Sequence, residues 1–446
     1  MLSGLKTQQE NHASIDPGEG GAPEIATLMN CPAANPLRDV CSAKRRAAAR
    51  VILPAVLLLA STVSLGAQQA LSLADADLRG AAIFQQSAVT GMVLVVVRNG
   101  QAMVRGYGET FPGSGVKPGA NSLIRLCSIS KILTTDILTR LAAEGQVGLD
   151  DPLQRYAPRG KVVPKGLGGQ RITLRDLATH TSGLPREVGA YPPKTPHFTF
   201  PDQAFRWRWL PRQKLIRPPG TAALYSNVGF DLLGDALASA SGKTYAQLLN
   251  ERIVGPLGLR DTTLTPGSEQ CSRLLRGTRD EGACTATLAS GASGGVYSTA
   301  ADMTRVLKYL LHVPGLPAQP GAALAVYLKP EQLKSMQGLN HAGDPTGIGL
   351  GWIQLGDPNS PSVLMEKTGG GAGFSSYIAL SPKRQSGVFL AVTDGEEASQ
   401  IDFYHEANNL LAALANVPPL PPKLHATHAV SNRRARPRPK NPPATR

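Results

Sequence analysis

The clearest periodicity lies near residue 90. Gly91-Met-Val-Leu-Val-Val-Val97 is unbroken apolar sequence, followed by Arg98-Asn99-Gly100 and then Gln101-Ala-Met-Val-Arg-Gly-Tyr107. Asn-Gly between two such runs predicts a hairpin, because both residues tolerate the positive φ that a tight two-residue turn demands. Far along the chain, Gly373-Phe-Ser-Ser-Tyr-Ile-Ala-Leu380 and Ser386-Gly-Val-Phe-Leu-Ala-Val-Thr393 predict two more strands, joined through Pro382-Lys383-Arg384. Phe403, Ala407, Leu410, Leu411 and Leu414 then recur at helical spacing. The pattern therefore predicts a core sheet assembled from both ends of the chain.

Between those ends the pattern is helical. Ile132, Leu133, Ile137, Leu138 and Leu141 share one face of a helix that stops at Gly145. Asp231–Ser241, closed by Gly242, predicts another, entered from about Val228. Thr299 caps a third, with Met303, Val306, Leu307, Leu310 and Leu311 on one side. No internal repeat is visible. From Val417 onward, Pro418, Pro419, Pro421 and Pro422 lead into basic residues, a composition that predicts a disordered tail over 417–446.

Composition changes this picture in two places. The 446 residues are 42% hydrophobic, enough for a large core, and carry a net charge of +14. Much of that charge sits at the ends. Lys44, Arg45, Arg46 and Arg50 precede the apolar run Val51–Leu65, and Arg433, Arg434, Arg436, Arg438, Lys440 and Arg446 decorate the tail. No zinc-finger spacing or RNA-binding aromatic string accompanies them, so no nucleic-acid partner is expected. Basic residues, a short apolar run and then Ser64, Gly66 and Ala67 read as a secretory signal over 44–67, the alternative being a retained anchor. Residues 1–43 form a leader extension without periodicity, unless translation starts later, at Met29. A globular domain over 68–416 is left.

Cysteine usage follows from export. Cys271 and Cys284 bracket a short loop-like stretch, and in an oxidising compartment they predict a disulfide, with two thiols as the alternative. Cys127 adjoins the first of three strings that carry the candidate chemistry.

That string is Ser128-Ile129-Ser130-Lys131 at a helix start. Three residues apart, Ser128 and Lys131 lie on one helix face. A serine hydroxyl needs a nearby base to attack a carbonyl, and Lys131 can supply one if burial or neighbouring cations hold it neutral. The second string is Tyr225-Ser226-Asn227, between Pro218-Pro219-Gly220 and a helix. With lysines beside it, Tyr225 can serve as base for attack and acid for the leaving group, while Asn227 offers a donor and an acceptor to a substrate amide. The third is Lys367-Thr368-Gly369 with Gly370 and Gly371, placed just before an apolar strand. A lysine beside a hydroxyl can hold a carboxylate, and the Ser128 and Gly370 N–H groups can form an oxyanion hole. No His-Glu-x-x-His, Cys-x-x-Cys or phosphate-loop string occurs, so no metal or other cofactor is expected. His180 invites a Ser-His reading, but no Gly-x-Ser-x-Gly elbow supports it.

Taken together, and in this order, the three strings resemble the active site of the class C β-lactamase-like group of penicillin-recognising serine hydrolases. Ile172–Pro185, Pro256–Thr262 and Gly294–Thr299 are similar to stretches of that group, and the resemblance runs from about residue 80 to 415. Leu184-Pro-Arg-Glu187, Phe230-Asp-Leu-Leu233, Cys271 with Cys284, and Lys367–Phe374 make it most similar to the periplasmic D-alanyl-D-alanine carboxypeptidase/endopeptidases. The resemblance implies a mixed α/β fold. Its antiparallel sheet is flanked by N- and C-terminal helices, and the site lies between it and a largely helical second lobe. It implies Ser128 as acyl-enzyme nucleophile, Lys131 and Tyr225 as the proton-transfer pair, Asn227, Thr368 and Gly369 as substrate contacts and Lys367 as carboxylate binder. Peptidoglycan peptides and β-lactams are the implied ligands of a periplasmic monomer with peripheral contact to the inner membrane or cell wall. Cys127 stands where that group has a small residue, which implies a tighter pocket behind the nucleophile. A β-lactamase proper is the alternative. A small-ester hydrolase or a non-catalytic penicillin-binding module fits less well, because the three strings are intact.

Overall fold

The computed structural model describes residues 70–278, 282–394 and 402–421. The expected leader and secretory signal, and the expected tail beyond Pro421, lie outside the described residues. Gly91–Arg98 (β1) and Gln101–Gly108 (β2) form the expected hairpin, in register from Gly91↔Gly108 to Arg98↔Gln101. Val326–Leu328 (β3), Pro345–Gly349 (β4), Ile353–Leu355 (β5), Leu364–Gly371 (β6), Phe374–Ser381 (β7) and Ser386–Thr393 (β8) complete one sheet, in the order β2-β1-β8-β7-β6-β5-β4-β3. All pairings within this sheet are antiparallel. β1 lies against β8, so the two chain ends do build the sheet together.

The apolar run in β1 does not alternate because both faces of the strand are covered. Val93, Val95 and Val97 face one core, and Met92, Leu94 and Val96 face the other. On the second face lie Leu73–Ser87 (α1) and Phe403–Ala415 (α5), which contribute Ala76, Ile83, Phe403, Leu410 and Leu414. On the first face lie Ser130–Ala143 (α2), Asn227–Ser241 (α3) and Ala300–Leu310 (α4). α4 shows why such helices form. Thr299 accepts from Asp302 N at 3.2 Å as a cap, and Met303, Val306, Leu307 and Leu310 are buried on one stripe. Each such fully buried side chain contributes roughly 1.5–3 kcal/mol.

One placement differs from expectation. Lys367-Thr368-Gly369 lies inside β6, paired with β7 through Lys367↔Ile378 and Gly369↔Ser376. Its lysine and three glycines hide the strand pattern, because side-chain packing here is exchanged for a bare backbone close to Leu126 and Ser128. Cys271 and Cys284 are joined in a disulfide.

Candidate active site

A 3₁₀ turn at Cys127–Ile129 runs directly into α2 and delivers Ser128 and Lys131 to one face. The turn is held from three sides. Ser376 Oγ on β7 donates to Leu126 O at 2.8 Å, Val296 N donates to Ser130 Oγ at 3.1 Å, and the Cys127 thiol donates to Gly371 O at 3.3 Å. Cys127 adopts φ 50°, a left-handed conformation that is uncommon outside glycine and has to be held in place by its surroundings. Gly369 permits the close approach of β6. A Cβ there would fall 2.3 Å from Ser376 Oγ and 2.6 Å from Leu126 O.

The candidate residues converge on Ser128. Lys131 Nζ is 3.1 Å and Tyr225 Oη 2.6 Å from Ser128 Oγ. Lys131 also donates to Asn227 Oδ1 and to Ser293 O, each at 2.6 Å. The other end of the Asn227 amide is engaged as well, because Nδ2 donates to Glu187 Oε1. The Tyr225 ring is surrounded by positive charge: Lys131 Nζ stands 4.9 Å, Arg186 4.9 Å and Lys367 Nζ 5.1 Å from its centroid. Lys367 is buried, and Gly370 and Thr368 line the space beside Ser128.

Burial dominates the electrostatics. It pulls the Lys131 ammonium down to about 7, against the opposing pull of Asp231 and Glu187. Burial also pushes the Asp231 carboxyl up, although Arg206 and a hydrogen bond from Ser293 N at 3.1 Å work the other way. His180 makes no bond to Ser128 among those described. Its Nδ1 accepts from Ser226 N at 3.1 Å and its ring stacks 4.4 Å from Tyr225. Burial, then Lys131, Lys367 and Arg186, hold it well below the usual histidine range. His180 is thus a neutral support beneath the tyrosine.

Two spaces open on Ser128. A cleft of about 410 Å³ is lined by Tyr191, Phe198 and Phe200 and by Glu187, Asn227 and Asp231. A recess of about 170 Å³ is lined by Arg186, Tyr225, His341, Thr368, Gly370 and Tyr404. A larger cavity of about 840 Å³ around Arg206, Asp235 and Tyr245 does not include Ser128, Lys131 or Tyr225, so Ser128 and Tyr225 meet only the smaller pair. Sequence reasoning had assigned no role to Glu187, Asp231, Ser293 or His341. Glu187 and Asp231 both lie within stretches that carry the resemblance, Leu184–Glu187 and Phe230–Leu233, and Asp231 also within the expected helix.

The arrangement sets a serine hydroxyl against a lysine amine and a phenol beside a recess that holds Arg186, groups that suit acyl transfer. Comparison with known proteins points the same way. A family model described as β-lactamase matches residues 77–413. The D-alanyl-D-alanine-carboxypeptidase/endopeptidase AmpH of Escherichia coli (strain K12) is 39% identical over 377 residues, covering 83% of this chain and 98% of that protein. The crystal structure of a β-lactamase/D-alanine carboxypeptidase from Yersinia pestis complexed with citrate is similar at 43% identity and a TM-score of 0.71, over 74% of this chain and 95% of that one. A class C β-lactamase from Rhodobacter sphaeroides, at 22% identity and a TM-score of 0.59 over 75% of this chain and 97% of that one, shares the fold.

Proposed function

The chain belongs to the β-lactamase family, and from that premise we propose that it is a serine D,D-peptidase, a D-alanyl-D-alanine carboxypeptidase/endopeptidase that trims peptidoglycan peptides. The observation that carries the reading is the joint contact of Lys131 and Tyr225 with Ser128 Oγ, beside a cationic recess.

Ser128 Oγ attacks the carbonyl carbon of the penultimate D-alanine, and its proton passes to Lys131 or Tyr225. The Ser128 and Gly370 N–H groups receive the oxyanion. The tetrahedral intermediate collapses, the C–N bond breaks, and the stored proton goes to the leaving amine. Water then attacks the acyl-serine with the same groups as base. In either a terminal D-alanine or a cross-linked diamino acid, a carboxylate sits next to the amine that leaves. Arg186, Thr368 and His341 line the recess, and Lys367 Nζ stands 5.1 Å from the ring of Tyr225, which also lines it; this set suits that carboxylate. The aromatic cleft suits the acyl side. Residues 44–67 read as an export signal, which would deliver the enzyme to the periplasm, where this substrate lies.

Mass spectrometry of purified protein mixed with a penicillin and, separately, with muropeptides tests the reading. The expected result is a penicilloyl adduct on Ser128 together with loss of D-alanine or opening of cross-links, both abolished in Ser128→Ala. Rapid penicillin turnover without muropeptide cleavage would make the protein a β-lactamase instead. Undiminished labelling of Ser128→Ala would remove the nucleophile assignment.

A further inference from the structure

A neutral lysine amine has two N–H groups and one lone pair. At Lys131 two carbonyl oxygens, Asn227 Oδ1 and Ser293 O, each 2.6 Å from Nζ, take the two hydrogens. The lone pair is then left for Ser128 Oγ, 3.1 Å away. This holds only while Asn227 presents its oxygen. An asparagine amide is nearly symmetric in shape, and turning it over would set an NH₂ group against the amine, donor facing donor.

The two acceptors are not equally secure. Ser293 O belongs to the main chain, and the same residue's N–H is tied to Asp231 Oδ1 at 3.1 Å. The Asn227 side chain could rotate. What opposes rotation is Glu187: Oε1 accepts from Asn227 Nδ2, and Oε2 accepts from Tyr191 Oη at 2.8 Å. An ionised carboxylate is acceptor-only, so it holds the NH₂ end and repels the carbonyl end. We infer that Glu187 is a positioning residue that fixes the orientation of the Asn227 amide and thereby keeps the Lys131 lone pair on Ser128, with Tyr191 bracing it from outside. The inference rests on the serine-acylation reading given above.

The opposing possibility is that Glu187, which lines the acyl-side cleft, simply touches substrate. The two roles separate on measurement. Glu187→Gln keeps the acceptor oxygen and the size but removes the charge, Glu187→Ala removes the acceptor, and Tyr191→Phe removes the brace. The rate of acylation by a fluorescent penicillin is followed from about pH 5 to 9 for each variant, with kcat and KM on a pentapeptide. Glu187→Ala should lose about 10- to 100-fold in acylation, expressed in kcat rather than KM. Glu187→Gln should retain its plateau rate to within about 3-fold. Its acid limb should move to lower pH, because an anion that favours the protonated lysine is gone. Tyr191→Phe should fall between them. An unaffected Glu187→Ala overturns the inference. So does a loss confined to KM, or equal losses in the Ala and Gln variants with an unmoved pH profile. If Glu187→Ala fails to fold, the Gln and Phe variants still decide, since an unshifted acid limb in the first and wild-type acylation in the second are incompatible with positioning. Wild-type protein that takes no label at Ser128 sinks the acylation reading itself, whereas a labelled wild type beside an indifferent Glu187→Ala sinks only this inference.

Discussion

One helix stripe joins two buried cations that are treated in opposite ways. Asn227, Asp231 and Asp235 recur every four residues along α3, so their side chains share a face. At the far end, Arg206 meets Asp235 through two hydrogen bonds of 3.1 and 2.7 Å, Trp207 adds a third at 3.0 Å, and Arg206 also donates to the carbonyls of Pro201 and Ala289. Four hydrogen bonds hold the guanidinium there, and Asp235 stands opposite its charge. At the near end, Lys131 is just as buried, yet its hydrogen-bond partners are the neutral oxygens of Ser128, Asn227 and Ser293. A buried cation without a contacting carboxylate loses its proton readily, whereas one with a paired carboxylate keeps it. The two ends thus differ in what stands opposite the cation and in the cation itself, because a guanidinium keeps its proton when buried whereas a lysine gives its proton up far more easily.

The sharpest way to break the comparison is to exchange the consequences. Lys131→Met should lower acylation by about 10²–10⁴-fold, the usual contribution of a positioned base, while the melting temperature does not fall. The linkage sign agrees. The folded pKa of about 7 lies below the ordinary lysine value, so protonation in that interval disfavours the native state, and removing the lysine removes that penalty. Asp235→Ala should do the reverse, costing about 3–5 kcal/mol by leaving Arg206 buried without its partner, with the activity of the folded fraction unchanged. Denaturant melts and active-site titration with a labelled penicillin measure both. If Asp235→Ala silenced folded enzyme, or Lys131→Met unfolded it, the two ends would not be separable.

The disulfide sharpens the structural side. Cys271 and Cys284 are 13 positions apart, a loop for which the chain-entropy model gives about 3 kcal/mol. Neither cysteine lines the cleft or the recess at Ser128. Replacing both by serine should lower thermal stability and leave kcat intact on folded protein. A matching fall in kcat would show that this loop reaches the site.

Legibility in the sequence followed the same division. Ser128 with Lys131 was readable because a helix sets their spacing, and the hairpin at Asn99-Gly100 because the turn sets its own chemistry. The three strings could be brought together only by their order and by resemblance. Glu187, Ser293 and Asp231 were not readable, since each acts through contacts between segments far apart in sequence. Ser293 does so through a main-chain carbonyl that any residue would possess. β6 was hidden for a related reason. A strand whose glycine admits the nucleophile turn has given up the side-chain alternation by which strands are recognised.

The smallest effect is expected in the middle of the stripe. Asp231 lies between the two cations, and both influence it: Arg206 and Lys131 each favour its anion, while burial opposes it and prevails. Near neutral pH, Asp231 and Lys131 therefore compete for the same proton. Asp231→Asn keeps an oxygen for Ser293 N and preserves shape, so the fold and the plateau rate should barely change. What should change is the pH dependence. Wild-type acylation should rise as Lys131 loses its proton near pH 7, a value that Asp231 holds up. Without the carboxylate the lysine deprotonates more readily, so the acid limb should move toward lower pH. Acylation rates measured against pH in the two proteins check this. An acid limb displaced to higher pH, or fixed in place, would mean that Asp231 is not coupled to the base. The stripe would then carry two separate sites instead of a graded one.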